Sequence, residues 1–261
     1  MTETEIKKEA EKIRTHVNNM INETFEILKQ IYNNDKTQHT ESFPIAGRLI
    51  FPNYRGATED IRISEQELRF VFTEVFNKYC KNNEVVSEWY YSVETPTMEK
   101  YNFKGKQPRI DPKGKSASFD FVIHNQESIP ICLIEFKARN PEEFKHHKDF
   151  LKLTEDPKNA KYPPYTQCYF LEVLNGCDRG TITSLTRKLT KYKEFLFRYT
   201  DTSIFATPYI RFCCYSLKGY SDSEHKEETV YDITDEIISK LKPANNTPSK
   251  RTSPSIEAPI R

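Results

Sequence analysis

Glycine is scarce in this sequence, with only seven residues among 261. A phosphate-binding loop of the Walker A type needs glycines at fixed spacing before a lysine, and the chain contains no such pattern. Long apolar runs are missing as well, because no window approaches the roughly 20 apolar residues that a membrane helix needs. These absences exclude a nucleotide-driven motor of that type and argue against a membrane span.

An excess of charge of one sign is also absent, since 39 Lys and Arg residues stand against 38 Asp and Glu residues. A uniform attraction to nucleic acid therefore has no support, and any site for a polyanion must be local. The six cysteines form no CxxC pair, which argues against a zinc site or a disulfide framework. Because the first segment, "MTETEIKKEAEKIR", is charged and unlike a signal peptide, the sequence predicts a cytoplasmic protein.

The first part of the chain, residues 1–34, is predicted to be one long helix. Its apolar or small residues alternate at spacings of four and three, which is the pattern of a heptad seam. The positions are Ile6, Ala10, Ile13, Val17, Met20, Thr24, Ile27 and Ile31. Two interpretations stay open: the seam packs on the chain's own domain, or it forms a coiled coil with a second copy or a partner protein.

The rest of the chain divides into three parts. Residues 35–62 are polar and rich in turn-forming residues, which indicates a connector. Residues 243–261 combine Pro, Ser, Thr and Asn with few apolar residues, which indicates a disordered tail. Residues 63–242, between these two segments, form the expected main domain.

The main domain begins with a helix predicted over residues 64–81, where Ser64 and Glu67 have the spacing of a capping box. Apolar runs rich in β-branched and aromatic residues then predict five strands, with amphipathic helices between the later ones. The order is helix, three strands, helix, strand, helix, strand, which is typical of an α/β fold with a mixed sheet flanked by helices. In the helix after the third strand, His146 and His147 point about 100° apart and are assigned to a solvated face.

Two of the predicted strands, "FDFVI" and "PICLIEF", each carry one carboxylate among apolar residues, Asp120 and Glu135. A tight polar turn joins them, so antiparallel pairing is expected to bring both carboxylates to one face. Lys137 joins that face, because strand side chains repeat with a period of two. Such carboxylates are costly unless they are paired or bind a metal. Two interpretations follow: a buried ion pair of Lys137 with Glu135 or Asp120, or a site that holds Mg²⁺.

The pattern "FDFVI" followed by "CLIEFKA" resembles the core of the PD-(D/E)xK nuclease superfamily, in which an acid on one strand precedes an acid-x-lysine triplet on the next. The upstream "SEQELR" resembles a helix of the nuclease domain in type I restriction motor subunits, with Glu65 four residues before Arg69. The resemblance covers roughly residues 62–217. It departs from the superfamily pattern at Phe119, where a proline is usual, and it lacks a glutamine-and-tyrosine pattern on the next helix.

This resemblance implies a restriction-endonuclease-like fold and hydrolysis of DNA phosphodiester bonds, in a restriction or anti-phage defence setting. It assigns Asp120 and Glu135 to Mg²⁺, for which Mn²⁺ would substitute, Lys137 to the attacking water, and Glu65 to the role of a fourth acid. Glu67 competes for that last role, although the capping box already gives it a structural one. A second hypothesis is a nuclease-fold module without activity, which binds nucleic acid or acts as a scaffold through its N-terminal helix.

Basic residues near the predicted site are candidates for contacts with a nucleic-acid backbone. They lie in an expected exposed loop, residues 98–117, on the helix after the Glu135 strand, and on a helix expected over residues 181–199. The candidates are Lys113, Lys115, Lys148, Lys152, Arg187 and Lys191. An ordinary solvated surface explains them as well, and both interpretations stay open.

Overall fold

The computed structural model describes residues 1–33, 48–52, 61–104, 107–205, 209–221 and 229–241. The predicted tail, residues 243–261, lies outside the described residues, as does most of the predicted connector. The described helices are α1 (Glu3–Tyr32), α2 (Glu65–Asn82), α3 (Glu143–Glu155), α4 (Arg179–Leu189) and α5 (Thr234–Leu241). The described strands are β1 (Tyr90–Asn102), β2 (Arg109–Ile110), β3 (Lys115–His124), β4 (Pro130–Ala138), β5 (Gln167–Leu174), β6 (Leu196–Arg198), β7 (Ile210–Tyr220) and β8 (Val230–Asp232).

The strands form one mixed sheet with the order β2-β1-β3-β4-β5-β7-β6, and β8 pairs with β7. Antiparallel pairing joins β2, β1, β3 and β4, whereas β4, β5, β7 and β6 run parallel. A parallel pair needs a crossover connection, and α3 lies in the one between β4 and β5. The predicted α/β fold, a mixed sheet flanked by helices with a long N-terminal helix, is confirmed at this level.

Two hydrophobic clusters cover opposite faces of the sheet. One joins α1 and α2 to the sheet, and in it the rings of Phe72 and Phe121 meet edge to face at 5.2 Å. The other joins α3, α4 and α5 to the sheet, and in it the rings of Phe150 and Phe170 stack at 4.4 Å. Because both faces are covered, β5 is buried along its whole length. A charged side chain on the central strands therefore depends on partners inside the protein.

Helix α1 packs on its own chain. Its seam residues Val17 and Met20 are fully buried in the cluster that also contains α2 and the sheet. Beside them, Asn18 accepts a hydrogen bond from the Tyr169 hydroxyl of β5 at 2.9 Å. The seam is therefore packed within the chain, as the first of the two interpretations of the heptad pattern predicts.

Two segments differ from the sequence-based predictions. Strand β1 continues past Pro96 as far as Asn102, and β3 begins at Lys115, so much of the predicted loop is strand. The strand tolerates the proline because its pairing with β3 becomes irregular directly after Pro96. Helix α4 ends at Leu189 and does not reach residue 199, because residues 196–198 pair with β7 as strand β6.

The remaining sequence-level expectations concern cysteines and membrane spans. All six cysteines are free, and five of them are buried. Burial raises the pKa of the Cys80 thiol to about 12, which keeps it protonated and unreactive at neutral pH. None of the described helices is long and apolar enough to cross a membrane.

Candidate active site

The two carboxylates predicted from the sequence lie on neighbouring central strands. In the antiparallel pair β3–β4, Phe121 is opposite Ile134, and one further step of this register sets Asp120 opposite Glu135. Residues opposite each other in an antiparallel pair share a face of the sheet. Asp120 Oδ2 also accepts a hydrogen bond from the backbone N–H of Phe136 at 2.8 Å, which ties the two strands together at this point.

Lys137 is held by two carboxylates that come from helices. Its Nζ lies 3.0 Å from Glu65 Oε1 on α2 and 2.8 Å from Asp149 Oδ2 on α3. The lysine side chain is 8% exposed and that of Glu65 is 39% exposed, so this pair connects the interior with the surface. These ion pairs differ from both of those foreseen in the sequence, which joined Lys137 to Glu135 or Asp120.

The first turn of α2 separates the two candidate acids on that helix. Ser64 is the N-cap; its hydroxyl accepts a hydrogen bond from the Gln66 N–H, and its own N–H donates to Glu67 Oε2 at 2.8 Å. Glu67 is therefore occupied by the capping box, as the spacing predicts. The structure places Glu65, and not Glu67, beside Lys137.

Glu135 is the most deeply buried acid of the cluster, with 1% of its side chain exposed. Its Oε1 lies 2.5 Å from Lys152 Nζ on α3. The same ammonium lies 3.0 Å from Asp149 Oδ1 and donates to the Ser118 carbonyl at 2.8 Å. The sequence-based assignment of Lys152 to a surface contact with nucleic acid is therefore wrong, because its side chain is only 7% exposed and is engaged inside the cluster.

A second basic side chain neutralises Asp120. Arg69 Nη2 on α2 lies 3.0 Å from Asp120 Oδ1 and 2.7 Å from Glu94 Oε1 on β1. Glu94 also accepts a hydrogen bond from the Ser118 hydroxyl at 2.8 Å. Its φ of 50° lies in the left-handed region, which costs a non-glycine residue about 1–3 kcal/mol. Strand β1 therefore departs from extended geometry where it meets the cluster.

Burial dominates the electrostatics of the cluster. It raises the pKa of Glu135 well above its usual value, an effect that Lys152 opposes and that Asp149 and Asp120 reinforce. Burial also acts to raise the pKa of Asp149, but Lys152 and Lys137 outweigh it and lower that pKa to about 2. For the two lysines burial acts to lower the pKa, and the carboxylates around them reverse this and raise both pKa values. Both lysines are therefore ammonium ions at neutral pH, which donate hydrogen bonds and do not act as bases.

Asp149 is the member of the cluster that sequence-based reasoning missed. It lies on α3 directly before Phe150, a core residue, and three positions before Lys152. This spacing sets Asp149 and Lys152 side by side at the margin of the buried stripe of the helix. The contact between Asp149 and Lys152 was predictable from the sequence, because two opposite charges three positions apart stand beside core positions of the helix.

The histidines of α3 do not lie on a solvated face, so that prediction is wrong. His146 is fully buried, and its Nε2 lies 3.2 Å from Glu172 Oε2 on β5, which is fully buried too. His147 is also buried and meets the Tyr192 ring edge to face at 5.4 Å. The reason is that α3 is covered both by the sheet and by the turn after α4, so its buried stripe is wider than its apolar residues indicate.

Three of the predicted contacts to nucleic acid lie near the start of β3 and on α3. Lys113 and Lys115 are exposed, and Lys115 belongs to the strand and not to a loop. Lys148 is half-buried, with its ammonium 4.8 Å from the centre of the Phe103 ring. Lys113 and Lys115 therefore keep an accessible charge, while Lys148 is partly covered.

Two open clefts adjoin α3. Arg187 and Lys191, the other predicted contacts, line one of about 600 Å³ together with His147. The second cleft has a volume of about 520 Å³ and is lined by Glu65 and Arg139 among others. Glu65 therefore belongs both to the cluster and to the lining of this second cleft.

The residues present fit a divalent metal ion that takes oxygen ligands. Among the described residues, no set of three or more His, Cys, Asp or Glu side chains is arranged as a metal-binding group. Mg²⁺, however, keeps several waters and is often bound by one or two carboxylates, which Asp120 and Glu135 offer. Glu135 Oε1 is buried, and its contact with the Lys152 ammonium is an ion pair without the geometry of a hydrogen bond.

Comparisons of the chain with protein-family models, with curated proteins and with solved structures gave no significant match. The likeness to the PD-(D/E)xK pattern therefore stays a prediction from the sequence.

Proposed function

We propose that this protein is a metal-dependent nuclease of the PD-(D/E)xK type that hydrolyses phosphodiester bonds in DNA. One observation carries the proposal: Asp120, Glu135 and Lys137, selected from a sequence pattern, lie in one cluster with Glu65 beside an open cleft. The mixed sheet with helices on both faces is compatible with a restriction-endonuclease-like fold. Restriction or anti-phage defence is the setting that the resemblance favours.

Each residue of the cluster takes a role that suits its chemistry. Asp120 and Glu135 would hold Mg²⁺, which supplies a Lewis acid for phosphoryl oxygens when bound. Lys137, an ammonium between two carboxylates, donates hydrogen bonds, so it orients the attacking water and stabilises the negative charge that develops on the phosphate. Glu65 and Asp149 orient Lys137 from the two sides.

The proposal is tested by incubating the purified protein with supercoiled plasmid, linear duplex and single-stranded DNA, with Mg²⁺, with Mn²⁺ and with EDTA. We expect cleavage of DNA only with a divalent metal ion, and none by Glu135→Gln, which keeps the shape of the side chain without its charge. The matched control is Glu23→Gln, because Glu23 forms an ion pair between α1 and α2 away from the site. Cleavage by Glu135→Gln at the wild-type rate would contradict the proposal.

A second candidate function is that of an inactive nuclease-fold module that binds nucleic acid. The observation in its favour is that the buried acids already have lysine partners, since Lys152 lies between Glu135 and Asp149. A melting experiment separates the two candidates. A ligand that binds only the folded state raises the melting temperature, so Mn²⁺ should stabilise the wild type and not Glu135→Gln if the nuclease proposal holds. No effect of Mn²⁺ on either protein would favour the inactive module.

A further inference from the structure

Arg139 has an unusual backbone conformation directly after β4. Its φ is 65°, in the left-handed region, and only two other non-glycine residues of the described chain, Glu94 and Ser128, share a positive φ. The left-handed region is strained for a residue with a Cβ atom and is natural for glycine. Two of these three residues, Arg139 and Glu94, adjoin the candidate site, and strained residues of this kind often mark functional positions.

The fold uses the backbone of Arg139 but not its side chain. The backbone N–H donates to the Val173 carbonyl of β5 at 2.7 Å, which holds the left-handed turn in place. The side chain is exposed, and its guanidinium has no ion pair or hydrogen bond with other residues in the described ranges. A glycine would make the same backbone contact with less strain, so the fold alone does not account for an arginine here.

The cleft beside the candidate site gives a reason for an arginine at position 139. Arg139 lines this cleft together with Glu65 and Lys145. Glu65 is the acid that holds Lys137 at 3.0 Å, so Arg139 lines a cleft that includes a residue of the candidate site. Arg139 and Lys145 offset the charges of Glu65 and Glu142, the two acids of the same lining, so the cleft does not repel an anion as the acids alone would.

We infer that Arg139 binds a backbone phosphate of the DNA substrate at the mouth of this cleft and so positions the strand for cleavage. The inference rests on the proposed function and adds a substrate-binding residue to it. A guanidinium suits the role because its planar donors match phosphate oxygens in a bidentate way. Because residue 139 adopts the left-handed conformation, the alternation of side chains between the two faces of the sheet ends at this residue. The Arg139 side chain is therefore not part of either packed face.

Three variants test the inference. Arg139→Gly removes the charge and relieves the strain, whereas Arg139→Gln removes the charge and keeps the strain. Ser128→Gly is the matched control, because Ser128 is an exposed residue with φ 60° in the β3–β4 turn, at the other end of β4, a strand about 26 Å long. Affinity for a short fluorescent duplex DNA is measured with Ca²⁺ in place of Mg²⁺ over a series of salt concentrations, and melting is followed in parallel.

We expect both Arg139 variants to bind the duplex about tenfold more weakly than the wild type, with a salt slope reduced by about 1. Ser128→Gly should bind like the wild type. The melting temperatures of Arg139→Gly and Ser128→Gly should hold or rise by up to about 4 °C, while that of Arg139→Gln should not rise. The combination of equal or higher stability with weaker binding is not expected of a residue with a purely structural role.

Wild-type affinity in both Arg139 variants would overturn the inference and leave the proposed function standing, provided that the wild type binds and cleaves DNA. A wild-type protein that does not bind the duplex at all would overturn both. A fall in binding by Ser128→Gly equal to that of Arg139→Gly would also overturn the inference, since the effect would then follow from the glycine and not from the lost guanidinium.

Discussion

Lys152 Nζ lies 2.5 Å from Glu135 Oε1, in an ion pair whose side chains are 7% and 1% exposed. A charged carboxylate at this depth is strongly unfavourable without a partner of opposite charge. Lys152 also contacts Asp149 at 3.0 Å, so one ammonium serves two acids. Because Lys137 supplies a second ammonium beside Asp149, the interior of the site is nearly balanced in charge before any metal ion or substrate arrives.

The first prediction concerns this buried pair. Lys152→Met leaves Glu135 without its partner and should lower the free energy of unfolding by about 3–5 kcal/mol in the absence of metal ions. The double variant Glu135→Leu/Lys152→Met replaces the pair with apolar side chains and should recover most of that loss. Chemical denaturation of the wild type, both single variants and the double variant gives the coupling energy, which we expect to be about 3 kcal/mol.

Lys148→Met is the matched control for this cycle, because Lys148 lies one turn earlier on α3 and is half-buried outside the cluster. Its loss should change the free energy of unfolding by less than about 1 kcal/mol. A double variant as unstable as the sum of the two single variants would show that Glu135 and Lys152 do not stabilise one another.

The second prediction concerns pH. The pKa of Asp149 is about 2 in the folded protein and about 3.9 in an unfolded chain. Its stabilising contribution is therefore complete above about pH 4 and is lost as the pH falls through 2. Asp149→Asn should lower the free energy of unfolding by about 2 kcal/mol at neutral pH, and the difference from the wild type should shrink as acid is added.

Urea denaturation at a series of pH values between neutral and about pH 3 measures this difference. Asp111→Asn is a useful control, because Asp111 also has a lowered pKa, caused mainly by a backbone hydrogen bond from Lys113, but lies outside the cluster. A difference between wild type and Asp149→Asn that is constant over the whole pH range would contradict the assignment of a depressed pKa to Asp149.

The third prediction separates the two acids in the first turn of α2. Glu67→Ala removes half of the capping box and should lower the free energy of unfolding by about 1 kcal/mol, with cleavage per folded molecule unchanged. Glu65→Ala should have the opposite profile: a strong loss of cleavage with a change in stability below about 1 kcal/mol, since the acid is partly exposed. The nicking rates and melting curves of both variants are the measurements that separate the two acids. Loss of cleavage in Glu67→Ala and loss of stability alone in Glu65→Ala would assign the catalytic role to Glu67.

The part of the site that was predictable from the sequence is the part that depends on short-range geometry. Asp120, Glu135 and Lys137 lie on two strands joined by a tight turn, and a period of two with antiparallel pairing is enough to bring them together. The capping box of Ser64 and Glu67 depends on one helical turn and was predictable for the same reason. Local periodicity shows which side chains share a face of a hairpin or of one helical turn.

The rest depends on how distant segments pack, which periodicity does not contain. Asp149 and Lys152 enter the site because α3 lies over β4, and His147 is buried because the turn after α4 closes over the same helix. The left-handed conformations of Glu94 and Arg139 are likewise set by the strands that they contact. No residue preference predicts a positive φ for a glutamate or an arginine.

The most direct test of the nuclease proposal is the rate at which supercoiled plasmid is nicked by Lys137→Met at matched concentration of folded protein. The control is Lys78→Met, which removes a lysine paired with Glu23 on the surface of α2. The proposal predicts metal-dependent nicking by the wild type and the control, and a rate at least about 100-fold lower for Lys137→Met with its metal-induced stabilisation retained. Equal nicking by Lys137→Met and the control would contradict it.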